Sequence, residues 1–308
     1  MLTTDYEGTV IRISDGQAEA LKVAHSVADG VVREKLGTSF TSVEEARRNL
    51  DEEIPGWDFD AVQAQAEGEW SDLLGRVEVE GGTPESRTMF YTALYHALLL
   101  PRTFSDASGS YPAFAGGGET RLADGFVYYD DFSLWDTFRA VHPLQNLLGP
   151  DRAADMVRSL LAKADDGGWL PIFPAWNSYT SAMIGDHASA LIADAYLKGI
   201  RGFDAERAYS FMRQNALDAP EDTADYLDGR GRRGLASYLE HGYIPLDDPV
   251  REAFHQGEQV SRTLEYAFDD FAVAQMAGAL GREQDRRLFL ERAGNWRNVF
   301  DPETRLVR

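Results

Sequence analysis

Met183-Ile184-Gly185-Asp186-His187-Ala188-Ser189-Ala190-Leu191-Ile192-Ala193-Asp194-Ala195-Tyr196 carries the clearest periodic signal in the chain. Met183, Ile184, His187, Ala188, Leu191, Ile192, Ala195 and Tyr196 recur at helical spacing, so one face of a helix is apolar and needs burial. The same period runs through Met89, Phe90, Ala93, Leu94, Ala97 and Leu98, and again through Ala153, Met156, Val157, Leu160, Leu161 and Ala164. Further helical stretches cover about 205–217, 234–239, 258–280 and 282–299. With 132–148 included, the pattern predicts seven or eight helices from about Pro84 onward. Their unequal lengths argue against a tandem-repeat solenoid. Two loops, 101–131 and 167–179, are long and rich in aromatics and carboxylates. Helix pairs with one elaborated set of loops suggest a ring of antiparallel helices with a functional face at one end.

Upstream the period changes. Residues 1 to about 45 read as extended: Val10-Ile11-Arg12-Ile13 alternates apolar with polar, and Gly8, Gly16, Gly30 and Gly37 punctuate the segment. These strands are too few for a stable sheet of their own. Either they pack on the rest of the chain, or they are the tail of a sandwich. Ser42 with Glu45 three residues later predicts a capped helix that stops near Glu53-Ile54-Pro55-Gly56. A second helix is predicted over 59–74, then a brief strand at Val77-Glu78-Val79-Glu80 closed by Gly81-Gly82.

Composition narrows the function. The chain has 308 residues, with 30 basic and 51 acidic side chains and a net charge of −21. That charge repels phosphate backbones and disfavours nucleic acid as a partner. No run of 18 apolar residues suggests a membrane span. The absence of Cys removes thiolate catalysis and Cys-ligated metals. Met-Leu-Thr-Thr-Asp-Tyr-Glu-Gly lacks the basic and apolar regions of a signal peptide and reads as a start in mid-domain. Only Lys22, Lys35, Lys163 and Lys198 are lysines, which fits either a saline habitat or a genome that favours Arg.

Four clusters have the residue types for chemistry. Tyr128 to Arg139 is the densest, with Asp131 at a helix start and Trp135, Asp136 and Arg139 on the next two turns. Carboxylates beside indoles suit a sugar: the carboxylate takes hydrogen bonds from vicinal hydroxyls and the indole stacks on the C–H face. The competing reading is an N-cap, a buried Trp and an Asp136–Arg139 ion pair. Gly168 to Asn177 is a stiff loop with two Trp and two Pro, suited either to a rigid ligand or to core packing. His187 lies on an apolar stripe beside Asp186, as a satisfied core histidine does. Glu258, Arg262, Glu265 and Asp269 share a helix face, by default a solvated one. Gly229-Arg230-Gly231-Arg232-Arg233-Gly234 satisfies G-x-G-x-x-G, but no βαβ unit surrounds it, so dinucleotide binding is disfavoured.

Together these stretches resemble glycoside hydrolase family 92, the bacterial exo-acting α-mannosidases. The likeness lies in Gly37-Thr38-Ser39-Phe40, Glu53 to Asp60, Phe90 to His96, Pro101-Arg102, Asp131 to Arg139, Trp176-Asn177, Met183 to His187, Asp194 to Gly199 and Ser261 to Asp270. The resemblance implies a mainly α fold: a partial (α/α)6 toroid over 84–308, preceded by a helical linker over 46–83 and by the terminal strands of a β-sandwich domain over 1–45. It also implies removal of terminal α-mannose from mannose-terminated glycans, with inversion and with Ca²⁺. A nucleic acid or a membrane is not an expected partner. The family is usually secreted or periplasmic.

The resemblance places the general acid in a Glu-Gly-Asn-Ala-Trp-Gln-type stretch, the calcium ligands in an Asn-Glu-Pro-Ser-His-His-type stretch and the base in a Gly-Asn-Asp-Asp-type stretch. All three follow the segment that resembles Asn295 to Pro302. The sequence stops at Arg308, so the expectation is a truncated enzyme, inactive alone, with no catalytic residue or metal ligand in it. What it is expected to keep is substrate-binding wall: Asp131, Trp135, Asp136 and Arg139, then Trp176 and Asn177. The alternatives are another (α/α)6 glycosidase or glycoside phosphorylase, and a non-catalytic carbohydrate-binding helical protein.

Overall fold

A computed structural model describes residues 6–7, 20–28 and 31–308, residue 252 excepted. The chain divides into two compact units, one of residues up to 112 with 118–128, the other of residues 113–117 with 129–308.

In the first unit, β1 (Tyr6–Glu7), β2 (Ala20–Ala28) and β3 (Val31–Ser39) form an antiparallel sheet in that order. The β2–β3 register runs from Ala20 opposite Ser39 to Ala28 opposite Val31. The strand expected at Val10–Ile13 lies outside the described residues. Helix α1 (Val43–Glu53) begins as its capping signal requires, with the Ser42 hydroxyl accepting from the Glu45 N–H at 3.1 Å. It lies so close to β3 that a Cβ on Gly37 would come within 2.2 Å of the Ala46 carbonyl. The buried Asp106 carboxylate staples the junction, accepting from Ser39 Oγ at 3.0 Å, Thr41 Oγ1 at 2.5 Å and Asn49 Nδ2 at 2.8 Å. Helix α2 (Phe59–Leu74) has the bounds read from the sequence, and α3 (Pro84–Ala97) follows. No strand forms at Val77–Glu80. Alternation alone does not make a strand: its backbone groups need a partner edge, and none among the described residues pairs with it.

The second unit is helical. Its core is built by α6 (Pro150–Gly167), α7 (Ala188–Leu197), α8 (Ala205–Leu217) and α11 (Gln259–Ala279). Leu160, Val157, Ile192, Met212, Val273 and Met276 are all sealed from solvent there, so the apolar stripes read from the sequence meet one another. The helix expected over 132–148 is two, α4 (Leu134–Thr137) and α5 (Val141–Leu148). Pro143 explains the break, since it has no N–H to give to the Arg139 carbonyl. The chain continues through α9 (Thr223–Leu227) and α10 (Leu235–His241), and α12 (Glu283–Arg292) ends in a 3₁₀ stretch over Ala293–Val299. Helix α7 starts five residues later than the stripe predicts. Met183 and Gly185 hold left-handed backbones, and a Cβ on Gly185 would fall 2.2 Å from His187 Nε2.

Helices α2 and α3 leave apolar side chains in water, among them Phe59, Met89, Phe90 and Tyr95, and α2 buries no residue. Exposed apolar surface of this kind marks an interaction face or an aggregation liability. Phe59→Ser combined with Met89→Ser is expected to lower anilinonaphthalene-sulfonate fluorescence and sedimentation-detected self-association, with no change in far-UV circular dichroism. Unchanged dye binding would show that the face is covered in solution.

Candidate functional site

Two loops and one helix of the second unit converge on the predicted residues. The loop before α4 and the loop after α6 are tied by a buried pair of carboxylate contacts. Asp130 accepts the Asn177 N–H at 2.6 Å and pairs with Lys163 Nζ at 2.8 Å, all three side chains being buried. Burial lowers the Lys163 pKa, and the Asp130 charge opposes that shift. Asp131 accepts the Trp176 N–H at 2.9 Å. Asn177 donates from Nδ2 to the Ala113 carbonyl at 3.1 Å. These anchors hold Asp131, Trp176 and Asn177 at φ of 62°, 52° and 56°, left-handed conformations that side chains rarely adopt unless the surroundings over-determine them. The product is an indole, Trp176, that stays 64% exposed on a stiff support. The other indole of the loop, Trp169, packs with Phe114 and Tyr179 as core.

Trp135 and Arg139 face another way. Trp135 Nε1 donates to Glu265 Oε1 at 3.2 Å, and Arg139 Nη2 pairs with the same oxygen at 3.1 Å. The Arg139 guanidinium also lies 5.0 Å from the Trp135 ring centroid. Trp135 and Glu265 line a pocket of about 400 Å³ with Met183, Ile184, His255, Glu258, Ser261 and Leu264. That volume is within the range of small-molecule sites, roughly 300–1,000 Å³. Asp136 is exposed and accepts from the Ser133 hydroxyl rather than pairing with Arg139. Of the six expected wall residues, Trp135 lines this pocket and Arg139 braces it. Asp131 and Asn177 support Trp176, and Asp136 is held at the first turn of α4.

The face carrying Glu258, Arg262, Glu265 and Asp269 is not a solvated one. Arg262 and Asp269 are sealed from solvent, and Glu265 keeps 15% of its side chain exposed. Asp269 Oδ1 accepts from His187 Nδ1 at 2.8 Å, and its other oxygen accepts the Asp186 N–H at 2.6 Å. His187 Nε2 lies 3.3 Å from Glu265 Oε2, and Phe138 stacks on the imidazole at 3.7 Å. The histidine read from the sequence as a core residue is indeed buried, but it sits between two carboxylates beside the pocket. Burial works against its charge. Asp269, Glu265 and Asp186 outweigh that effect and hold its pKa above the ordinary imidazole value.

Sequence reasoning passed over Arg232. The Gly-rich run that mimics a dinucleotide fingerprint inserts this guanidinium into the protein. It donates to Asp186 at 3.1 Å and to Asp270 at 2.7 Å, and all three side chains are fully buried. Arg292 and the Tyr238 hydroxyl complete Asp270, and Asn215 completes Asp186. Burial, eased by Arg232 and reinforced by Asp269, pushes the Asp186 carboxyl up to about 6. Gly229 makes the insertion possible: at φ 103° its Cα approaches the Thr180 carbonyl where a Cβ would sit 2.3 Å away.

With this geometry in view, the comparisons are specific. A model of the glycosyl hydrolase family 92 catalytic domain matches residues 45–308. The chain belongs to glycosyl hydrolase family 92. The family 92 α-mannosidase BT3965 of Bacteroides thetaiotaomicron, also solved with mannoimidazole, is 30% identical, with a TM-score of 0.77 over 96% of this chain and 45% of its own. The inverting mannosidase BT2199 of the same organism is 32% identical, with a TM-score of 0.80 over 92% of this chain and 37% of its own. An uncharacterized secreted glycosidase of Arthroderma benhamiae is 29% identical over 87% of this chain. The chain spans 30% of that curated relative and less than half of the two solved mannosidases. The helical unit of this family 92 chain is of the α/α toroid class, as expected. Among its described residues no helix is long and apolar enough to cross a membrane.

Two outcomes are expected from this site. Arg232→Met leaves buried carboxylates short of a cation and should cost about 3–5 kcal/mol in urea unfolding; a loss under about 1 kcal/mol would show that Arg292 alone suffices. His187, with its raised pKa, should contribute stability in full below the unfolded value near 6.5 and lose it as pH rises through the higher folded value. The stability difference between wild type and His187→Asn should therefore shrink as the pH rises above about 6.5.

Proposed function

We propose that this chain supplies sugar-binding wall to an exo-acting α-mannosidase that removes terminal α-mannose from glycans. The observation that carries the reading is the pocket walled by Trp135 and Glu265. An indole offers a flat apolar face to the C–H side of a pyranose, and the Glu258 carboxylate lining the same pocket offers two acceptors to vicinal hydroxyls. Trp176, exposed and rigidly supported, is a second such face. Family membership and the mannosidase relatives favour mannose over other hexoses. The same reading includes inversion, which needs an acid and a base roughly 6.5–9.5 Å apart with a water between base and sugar. We assign those two groups, by family resemblance, to sequence other than the residues described here, and expect this chain alone to bind without cleaving. Export is part of the proposal too, in line with the secreted fungal relative.

Calcium enters only by resemblance. A hard cation would take vicinal sugar hydroxyls into its shell and favour a distorted ring. Among the described residues no three His, Asp or Glu side chains cluster to hold a metal. Asp186, Asp269 and Asp270 are taken up by Arg232, Arg292 and His187. These carboxylates do not fit a calcium site.

Titration of the chain with methyl α-mannopyranoside, followed by calorimetry, tests the proposal. Wild type is expected to bind it in preference to methyl α-glucopyranoside. Trp135→Ala should weaken binding about tenfold, the equivalent of an aromatic contact of about 1.4 kcal/mol, with little change in unfolding midpoint. Equal loss of binding and stability would return Trp135 to the core, and a wild type blind to mannosides would remove the reading.

A further inference from the structure

Helix α4 is a single turn of four residues, yet it carries Trp135 and is followed by Phe138 and Arg139. One turn has no stability of its own in water, so tertiary contacts must set its orientation. Helix α11 is 21 residues long and packs against α7, α8 and α12. One side chain joins the short element to the long one. Glu265 of α11 receives Trp135 Nε1 and Arg139 Nη2 on one oxygen, at 3.2 and 3.1 Å, and faces His187 Nε2 with the other at 3.3 Å.

We propose that Glu265 is a positioning residue for the sugar site, a carboxylate that sets the plane of the Trp135 indole and the place of Arg139. The inference rests on the reading of this pocket as a sugar site. The carboxylate receives two donors and faces the imidazole at 3.3 Å, and each contact does a separate task. The indole N–H fixes the ring edge. The guanidinium, laid over both Trp135 and Phe138, presses the ring face. The imidazole keeps the carboxylate from rotating, because Asp269 holds its far nitrogen and Phe138 stacks on its plane at 11°. Aspartate is one methylene short of reaching both donors and the imidazole together.

Glutamine at this position makes the role testable. Its amide has one acceptor oxygen, which can keep Trp135 and Arg139. Its NH₂ group then faces His187 Nε2 and needs that nitrogen unprotonated. The groups facing His187 are Asp269 and Glu265 from α11 and Asp186 from the preceding turn. Behind them stand Arg139, shared with Glu265, and Arg232, shared with Asp186. Replacing Glu265 removes one anion of this set and eases His187 toward neutrality. Glu265→Gln should hold the indole in place at alkaline pH and lose it at acid pH, a signature that mere loss of packing would not give.

The experiment uses the full chain with two readouts. The first, free of ligand, is the indole ¹⁵N–¹H resonance of Trp135, assigned by its absence in Trp135→Phe. The second is affinity for methyl α-mannopyranoside at about pH 6 and about pH 8.5, on either side of an ordinary imidazole. Glu265→Leu is expected to shift and broaden the resonance and to weaken binding at least about tenfold at both pH values. Glu265→Gln should approach wild type at the higher pH and resemble Glu265→Leu at the lower one. An unchanged Trp135 resonance in both variants would overturn the proposal, as would equal, pH-independent effects of Gln and Leu. If wild type binds no mannoside, the sugar reading fails by itself, and the resonance still decides whether Glu265 positions Trp135.

Discussion

Arg232 is the cation on which the helical unit depends. It sits with no solvent contact between Asp186, at the entry to α7, and Asp270 of α11, while Arg292 of α12 and Tyr238 of α10 reach the same Asp270. Four separate parts of the chain are thus fixed through two carboxylates. Such a cluster is a poor source of net stability, since the cost of desolvating each ion nearly cancels the attraction. Its value is in what it forbids. Any shift of α10 or α12 along α11 would strand a buried charge, and apolar stripes alone would tolerate such a slip. The cluster borders the Trp135–Glu265 pocket directly, because Asp186 precedes His187 and Asp270 follows Asp269.

Support and recognition are divided among neighbouring residues in a consistent way. Asp130 is buried and holds Lys163 and the backbone of Asn177, while its neighbour Asp131 holds the backbone of Trp176. Asp269 holds His187, while Glu265, one turn earlier and partly exposed, faces Trp135 and Arg139. In each pair the deeper carboxylate anchors the scaffold and the shallower one fixes a tryptophan, by its backbone at Trp176 and by its indole N–H at Trp135. Rigid presentation of an indole matters for a sugar, because a pyranose offers little apolar surface and the ring must already be in place to profit from it.

Local signals were legible where local physics decides. Ser42 caps α1 as its spacing from Glu45 predicts, and the apolar stripes on α6, α7 and α11 are the buried faces. Trp135 and Arg139 were legible as members of the densest cluster, although the pair read there was Asp136 with Arg139 and the structure pairs Arg139 with Glu265 instead. Other features depended on partners distant in sequence. The Gly229–Gly234 run has the spacing of a phosphate loop and turned out to thread a guanidinium into the core. The Glu258–Asp269 face has the pattern of a solvated helix, and two of its members are sealed. Glu265 is 126 residues from Arg139 and 130 from Trp135, so no spacing rule joins them.

The sequence by itself determined the mainly helical character, the faces that α6, α7 and α11 bury and the resemblance to family 92; the stripe on α3, with Met89 and Phe90 exposed, is the exception. Each of these is written in neighbours three or four residues apart, or in short ordered motifs. Only the tertiary structure decided which carboxylate serves which cation, and which of three close indoles, Trp135, Trp169 and Trp176, is core and which is surface. The physical reason is that a charge or an indole takes its role from what surrounds it after folding, and those surroundings are assembled from segments tens to more than a hundred residues apart.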